Sequence, residues 1–315
     1  MFSPFFTENI NISFYGGEPL LAFDTIEQTL HYLRKKVHPN RSVNYSLTTN
    51  GSLLTKDILS VLDEFKFEVV LSFDGLSQNI TRKENSFTQL VGTIETIKTY
   101  PRIALSTQSV FVPETVSFLS GSIQFIVDMG IKSVDFNLDY IRPWNRSDLR
   151  GFEREVQKIR KMAQDHYNKN GKLPVEFLNK SDSYGIAVCE GGKESMTLVP
   201  DGSLWGCSLL FDYASSREDE TLAQVYSFGA IEDFIRHHKV VYPQIRRNYS
   251  QIRLDRCHTD KTPCVKCLDL LRCTLCPIAA CFGSKEMWTI PDWVCEIRRI
   301  LTKENESFWS WVGSD

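Results

Sequence analysis

INISFYGGEPLL, residues 10–21, sets how the rest of the chain is read. Ile10 to Tyr15 is a β-branched and aromatic run of the kind that forms strands. Gly16-Gly17-Glu18-Pro19 then breaks it, and Pro19 is suited to open a helix. Outward from this turn the same alternation recurs. Further strand runs are Val43 to Thr48, Val69 to Phe73, Ile103 to Phe111 and Ser133 to Leu138. Between them, Ile26, Leu30 and Leu33 share one helical face after Asp24, and Ile58, Leu59, Leu62 and Phe65 share another after Thr55. Pro113 opens a helix with Val116, Leu119, Ile123, Ile126 and Val127 inward and Gly130 at its end. A long polar helix is expected from Ser147 to about Tyr167. Five successive βα units with right-handed connections predict an α/β fold with a parallel sheet or partial barrel.

In such barrels the working residues stand at the C-terminal ends of the strands. Three polar, glycine-bearing turns fall there: Gly16-Gly17-Glu18-Pro19, Thr49-Asn50-Gly51 and Ser72-Phe73-Asp74-Gly75. Amides of a Gly-Gly turn approach a ligand closely because no Cβ intervenes, and the neighbouring Glu18 carboxylate can hold an ammonium group. Ser72 and Asp74 can bind a ribose or an amino-acid carboxylate. Each turn alone is ordinary strand-to-helix punctuation, but three on one rim predict a small-molecule pocket.

The 315 residues are 42% hydrophobic and 24% charged, with a net charge of −3. That balance advertises neither a nucleic-acid partner nor a membrane, and with no charged n-region ahead of an apolar stretch the expected location is cytoplasmic. None of the nine cysteines precedes Cys189, and seven lie between Cys257 and Cys295. An odd count without a signal peptide fits metal binding better than a disulfide framework, although nine N-x-S/T triplets would serve a secreted protein as glycan acceptors. The βα alternation stops after Asn168-Lys169-Asn170-Gly171-Lys172, which places a domain boundary near residue 172 and divides the chain into 1–172 and 173–315. Beyond it, Val199 to Trp205 reads as a hairpin turn, Ile231 to His238 as a short helix, and the remainder as loop organised around cysteine.

FYGGEPLL at 14–21, LTTNG at 47–51 and LSFDG at 71–75 resemble, in order and spacing, the second, third and fourth strand motifs of radical S-adenosylmethionine (SAM) enzymes. The resemblance implies that Gly16, Gly17, Glu18 and Pro19 meet the methionyl amino group. It places Asn50, Ser72 and Asp74 near the methionyl carboxylate or the ribose, with Thr107 or Ser109 lining the next strand. The cysteine region resembles the SPASM extension, which binds auxiliary four-iron four-sulfur clusters in peptide-modifying radical enzymes. That likeness implies two 4Fe-4S clusters. Cys264, Cys267, Cys273 and Cys295 correspond to the ligands of the distal one, and Cys189, Cys207 and Cys276 to those of the proximal one. Cys273 and Cys276 are separated by two residues where the family has three, so Cys281 competes with Cys276, and Cys257 is a further ligand or a buried free thiol. Paired C-x2-C hooks also suit structural zinc, and the upstream Cys189, Gly202 and Cys207 favour iron–sulfur. Many such enzymes carry an aspartate after the cysteine matching Cys207, a base in sulfatase maturases. Here Ser208 stands there, with Asp212 or Tyr213 near enough to substitute.

The family holds its initiating cluster with C-x3-C-x2-C on the first βα loop, and no such triplet occurs in these 315 residues. Because Ile10 to Tyr15 already carries the second-strand motif, the chain is expected to be an N-terminally shortened form whose edge strand exposes an apolar face. As it stands it should be catalytically inert. The function implied for the intact protein is SAM-dependent oxidation or cross-linking of a ribosomally made peptide or protein, with that substrate, SAM and an electron donor as partners. The competing expectations are an inactive cluster-binding or electron-transfer partner, and a zinc-binding structural protein.

Overall fold

The five runs form one parallel sheet in the computed structural model, which describes residues 9–38, 40–179, 184–193, 195–284 and 286–313. Met1, on which the reading of a shortened chain turns, lies outside the described residues. The strands are β1 (Asn9–Phe14), β2 (Ser42–Thr49), β3 (Glu68–Ser72), β4 (Ala104–Phe111) and β5 (Val134–Leu138), each hydrogen-bonded to the next in chain order. Unbroken sequential order with right-handed crossovers puts every connection on the same face, which is the winding of a barrel.

Side-chain parity sorts the sheet into two faces. Tyr45, Leu47, Phe67 and Val69 pack beneath α1 (Phe23–Lys36) and α2 (Lys56–Glu64), whose Ile26, Leu30, Leu59 and Leu62 complete the core. Thr55 caps α2 by accepting from the Ile58 amide, as its position before the periodic run predicts. A third helix, α3 (Ser86–Ile97), buries Leu90, Ile94 and Ile97. Pro113 opens a 3-10 turn, which passes into α4 (Leu119–Asp128). The polar helix α5 runs Arg146–Asn170.

The opposite face of β1 and β2 is polar, contrary to the apolar face expected for a bare edge. Asn44 donates to Asn11 at 2.9 Å, Ser46 donates to Ser13 at 2.9 Å, and Ser42 bonds Asn9. The expectation failed because the apolar residues of β1, Ile12 and Phe14, turn toward the helical core instead. At the other edge, Val134 accepts a further bridge from Val175, with the Val134 amide donating to the Pro174 carbonyl at 2.8 Å.

By internal contacts, residues 1–139, 150–179 and 303–315 make one unit and residues 140–149 and 180–302 a second. In the second, β6 (Thr197–Leu198), β7 (Ser203–Trp205) and β8 (Ser227–Ala230) form an antiparallel sheet, the first two joined by the predicted turn with Gly202 at φ +82°. Two short helices, α6 (Ser208–Ser215) and α7 (Glu220–Tyr226), follow Cys207. The helix expected over 231–238 continues as α8 (Ile231–Ser250) straight through Pro243. Its apolar anchors Phe234, Ile245 and Tyr249 lie on both sides of the proline and outweigh the lost backbone hydrogen bond. A final helix, α9 (Asp292–Val312), forms where the sequence carried little signal. Among the described residues no helix is long and apolar enough to cross a membrane.

Candidate functional site

At the strand ends the first two turns converge on Glu18. Its Oε1 accepts from the Thr49 hydroxyl at 2.7 Å and from the Leu20 amide at 3.2 Å, and its Oε2 accepts from the Asn50 amide at 2.9 Å. A carboxylate offers about four lone-pair sites, so one remains, on Oε2. Gly16, at φ +148°, and Gly17 are both exposed, and a Cβ built at either meets nothing within 4 Å. The Gly-Gly lip is therefore open, and Pro19 begins the short helical turn behind it. Asn50 uses its Oδ1 to accept from the Ser52 amide at 2.8 Å, which fixes the loop after β2.

Asp74 is engaged differently. Its carboxylate accepts from Thr81 Oγ1 at 2.5 Å, Arg82 Nε at 2.8 Å, Arg82 Nη2 at 3.3 Å and the Val110 amide at 2.8 Å, and the residue is 1% exposed. All four lone-pair sites are spent, so the geometry leaves no capacity for a ribose or a ligand carboxylate. Asp74 ties the β3 turn to β4 instead. Thr107 and Ser109 also depart from the sequence reading. Both are buried on the helical face, and the Ser109 hydroxyl donates to the Phe73 carbonyl at 2.7 Å. The residue between them, Gln108, faces the other way, because strand side chains alternate.

Gln108 completes a polar row that the sequence reading missed. Ser72 is in register with Gln108, and Gln108 with Asp135, while Asn50 follows Thr49, the partner of Leu71. Asn50, Ser72, Gln108 and Asp135 thus line one level of the face opposite the helices. Gln108 Nε2 donates to Asp135 Oδ2 at 3.2 Å, and the Phe136 amide donates to Oδ1 at 2.9 Å. Burial, with a smaller contribution from the Glu176 charge, raises the Asp135 carboxyl above the ordinary aspartate value. A carboxyl whose folded pKa is raised favours folding below its unfolded pKa and loses that advantage as pH rises through the folded one. Asp135→Asn is accordingly expected to stabilise the chain at neutral pH, the gain vanishing below about pH 3.8. Urea midpoints across that range check the sign.

In the second unit the cysteines fall into three sets. Burial raises Cys189 to about 11, and the charges of Cys207 and Cys276 add to the effect. Cys207 is raised by burial, and Cys276 raises it further. Cys264 goes to about 11 and Cys295 to about 12, in both cases first by burial and then by the neighbouring thiols; Cys264 and Cys295 each feel Cys267 and Cys273. Cys257 and Cys281, 2% and 1% exposed, share a hydrogen bond that raises the first and lowers the second. Amides point at several sulfurs: Gly191 donates to Cys189 at 3.4 Å, Leu209 and Leu210 to Cys207, and Leu275 to Cys273. Arg246 donates to the Cys189 carbonyl at 3.3 Å and pairs with Glu190. Of the substitutes for the missing base, Asp212 is exposed and close enough to raise Cys207, whereas Tyr213 is buried with Arg217 stacked 3.7 Å over its ring.

Thiols raised in this way stay protonated at neutral pH, and a cation is what draws the protons off. Among the described residues no three ligating side chains converge as a single metal ion requires. The backbone behind the first set is tightly fitted. Gly206 donates to the Tyr249 hydroxyl at 2.9 Å, Gly192 donates to the Gly206 carbonyl at 3.1 Å, and a Cβ at Gly206 would stand 2.6 Å from the Gly192 nitrogen and 2.7 Å from the Tyr249 ring.

No family model matches the chain. It is 24% identical over 267 residues to the cysteine-type anaerobic sulfatase-maturating enzyme of Clostridium perfringens, covering 75% of this chain and 70% of that one. It is 23% identical over 229 residues to the radical SAM cyclopropyl synthase TigE of Paramaledivibacter caminithermalis, covering 67% and 46%. The chain spans about half the length of the curated relatives it matches first. Native anSMEcpe with bound AdoMet and Kp18Cys peptide superposes with a TM-score of 0.73 at 17% identity, over 98% of this chain and 87% of that one. The fold is that of the radical SAM enzymes with a cysteine-rich C-terminal region, and the resemblance to radical SAM enzymes holds in both sequence and structure.

Proposed function

We propose that this chain provides the SAM pocket and two thiolate-held 4Fe-4S clusters of a radical maturase that oxidises or cross-links a peptide or protein, with an electron donor as a further partner. The observation that carries the reading is that Cys189, Cys207 and Cys276 act on one another, as do Cys264, Cys267, Cys273 and Cys295, with Cys281 acting on Cys264 as well. Thiol donors with amides aimed at sulfur suit iron–sulfur ligation. When bound, such clusters supply one-electron transfer.

The protein's own contribution to the pocket follows from the lone pairs. Glu18 Oε2 accepts from the ligand ammonium, the Gly16 and Gly17 backbone lies open to it, and Pro19 fixes the turn. Asn50 and Ser72 meet the carboxylate or ribose, and Gln108 and Asp135 extend their row. Asp74 holds the rim in shape. In functional terms, residues 1–172 serve the pocket and residues 173–315 the auxiliary clusters.

The likeness to an anaerobic sulfatase-maturating enzyme and to TigE supports a peptide or protein as the substrate class. Anaerobic reconstitution of the chain is expected to yield roughly eight iron and eight sulfide, with little zinc. Stoichiometric zinc without sulfide overturns the cluster reading.

A further inference from the structure

Helix α9 carries Cys295 and, three residues on, Arg298, which the helical repeat brings one turn along on the same side. Its neighbour Arg299 is paired conventionally, with Asp269 at 3.1 Å and Glu296 at 2.8 Å. Arg298 is not. Its Nε is buried and has no hydrogen-bond partner among the described residues. The groups that face it are the Cys273 thiol and the Tyr140 phenol, with which it interacts electrostatically. Neither offers a negative charge while protonated.

A guanidinium whose Nε–H is buried and unmet is costly, and it is stable where an anion arrives to compensate it. Cys273 and Cys295 belong to one thiol set, so ligation by that set would bring the missing charge to Arg298. We propose that Arg298 is the buried counter-charge of the cluster held by Cys264, Cys267, Cys273 and Cys295, and that it favours the reduced form of that cluster. The inference rests on the iron–sulfur reading above. Reduction adds one electron to a group that is already anionic, and a fixed positive charge beside it stabilises the product more than the reactant. Arg298 is thus a positioning and tuning residue acting through the cluster, with no contact to a substrate required.

The test is a potentiometric titration of the reconstituted chain followed by electron paramagnetic resonance, comparing the unsubstituted protein with R298Q and R298K. R298Q is expected to disfavour reduction of one cluster about tenfold, a midpoint ~59 mV more negative for a one-electron couple, while the other cluster keeps its midpoint. R298K retains the charge and should restore most of the difference. An iron-loaded R298Q chain with both midpoints unmoved overturns the role of Arg298 alone. Zinc in place of iron and sulfide in the unsubstituted chain defeats the iron–sulfur reading, which is a separate result. If R298Q fails to load iron, R298K decides: loading with the original midpoint supports the counter-charge, and failure of R298K to load overturns it.

Discussion

Asp74→Ala is expected to destabilise the sheet unit by about 3–5 kcal/mol, the cost of leaving one member of a buried ion pair without its partner. The aspartate is 1% exposed, and its loss strands the Arg82 guanidinium and the Val110 amide, while the Thr81 hydroxyl keeps the Ser77 carbonyl as an acceptor. Domains of ordinary size are stable by only about 5–15 kcal/mol, so a large share of the margin goes with one side chain. Asp74→Asn keeps an oxygen for the Val110 amide and should fall between. Chemical denaturation of the three proteins measures the effect. A loss under about 1 kcal/mol for the alanine variant would mean that these four bonds are replaced by water at little cost.

Cys276→Ser is expected to remove about half of the reconstituted iron, roughly four atoms per chain, while Cys281→Ser leaves iron close to the unsubstituted level. The sequence left these two cysteines as rivals for the proximal set. The structure distinguishes their surroundings: Cys276 is exposed and influences both Cys189 and Cys207, whereas Cys281 is buried and bonded to Cys257. Cys281→Ser should show instead as lowered thermal stability, because a hydroxyl replaces a thiol in an apolar setting that includes Ile278, Ala280 and Ile290. Iron analysis and melting curves for both variants separate a ligand from a packing residue. Equal iron loss in the two would place Cys281 in the cluster after all.

The parallel sheet was legible because its strands are rich in β-branched and aromatic residues and alternate with helical periodicity, and both signals are local. The turns that end β1, β2 and β3 were legible for the same reason, from their glycines. What escaped depended on partners distant in sequence. Nothing in LSFDG tells that Arg82 and Val110 will consume the Asp74 carboxylate. The resemblance pointed to β4 yet selected Thr107 and Ser109, because which face meets the helices is decided by packing and not by the strand itself. Helix α9 was illegible because Glu304 interrupts its apolar side between Ile297 and Phe308. That glutamate is 2% exposed and paired with Arg160 at 2.7 Å, a partner 144 residues away. Pro243 hid the second half of α8, since a proline is a stop signal unless side chains on both sides of it are anchored.

The glycine-lined backbone around Tyr249 bears on how metal enters the first thiol set. Gly191 and Gly192 follow Cys189 after Glu190, Gly206 precedes Cys207, and the two strands of chain are joined by a backbone hydrogen bond with the Tyr249 ring wedged alongside. The spacing of the two backbone segments that carry these cysteines is therefore set by main chain pressed on main chain. On the iron–sulfur reading proposed above, the backbone carrying these two cysteines is ordered when the chain folds, so loading would spend little further entropy there. A single methyl group at residue 206 would act as a shim, changing the gauge of the site while leaving every cysteine in place.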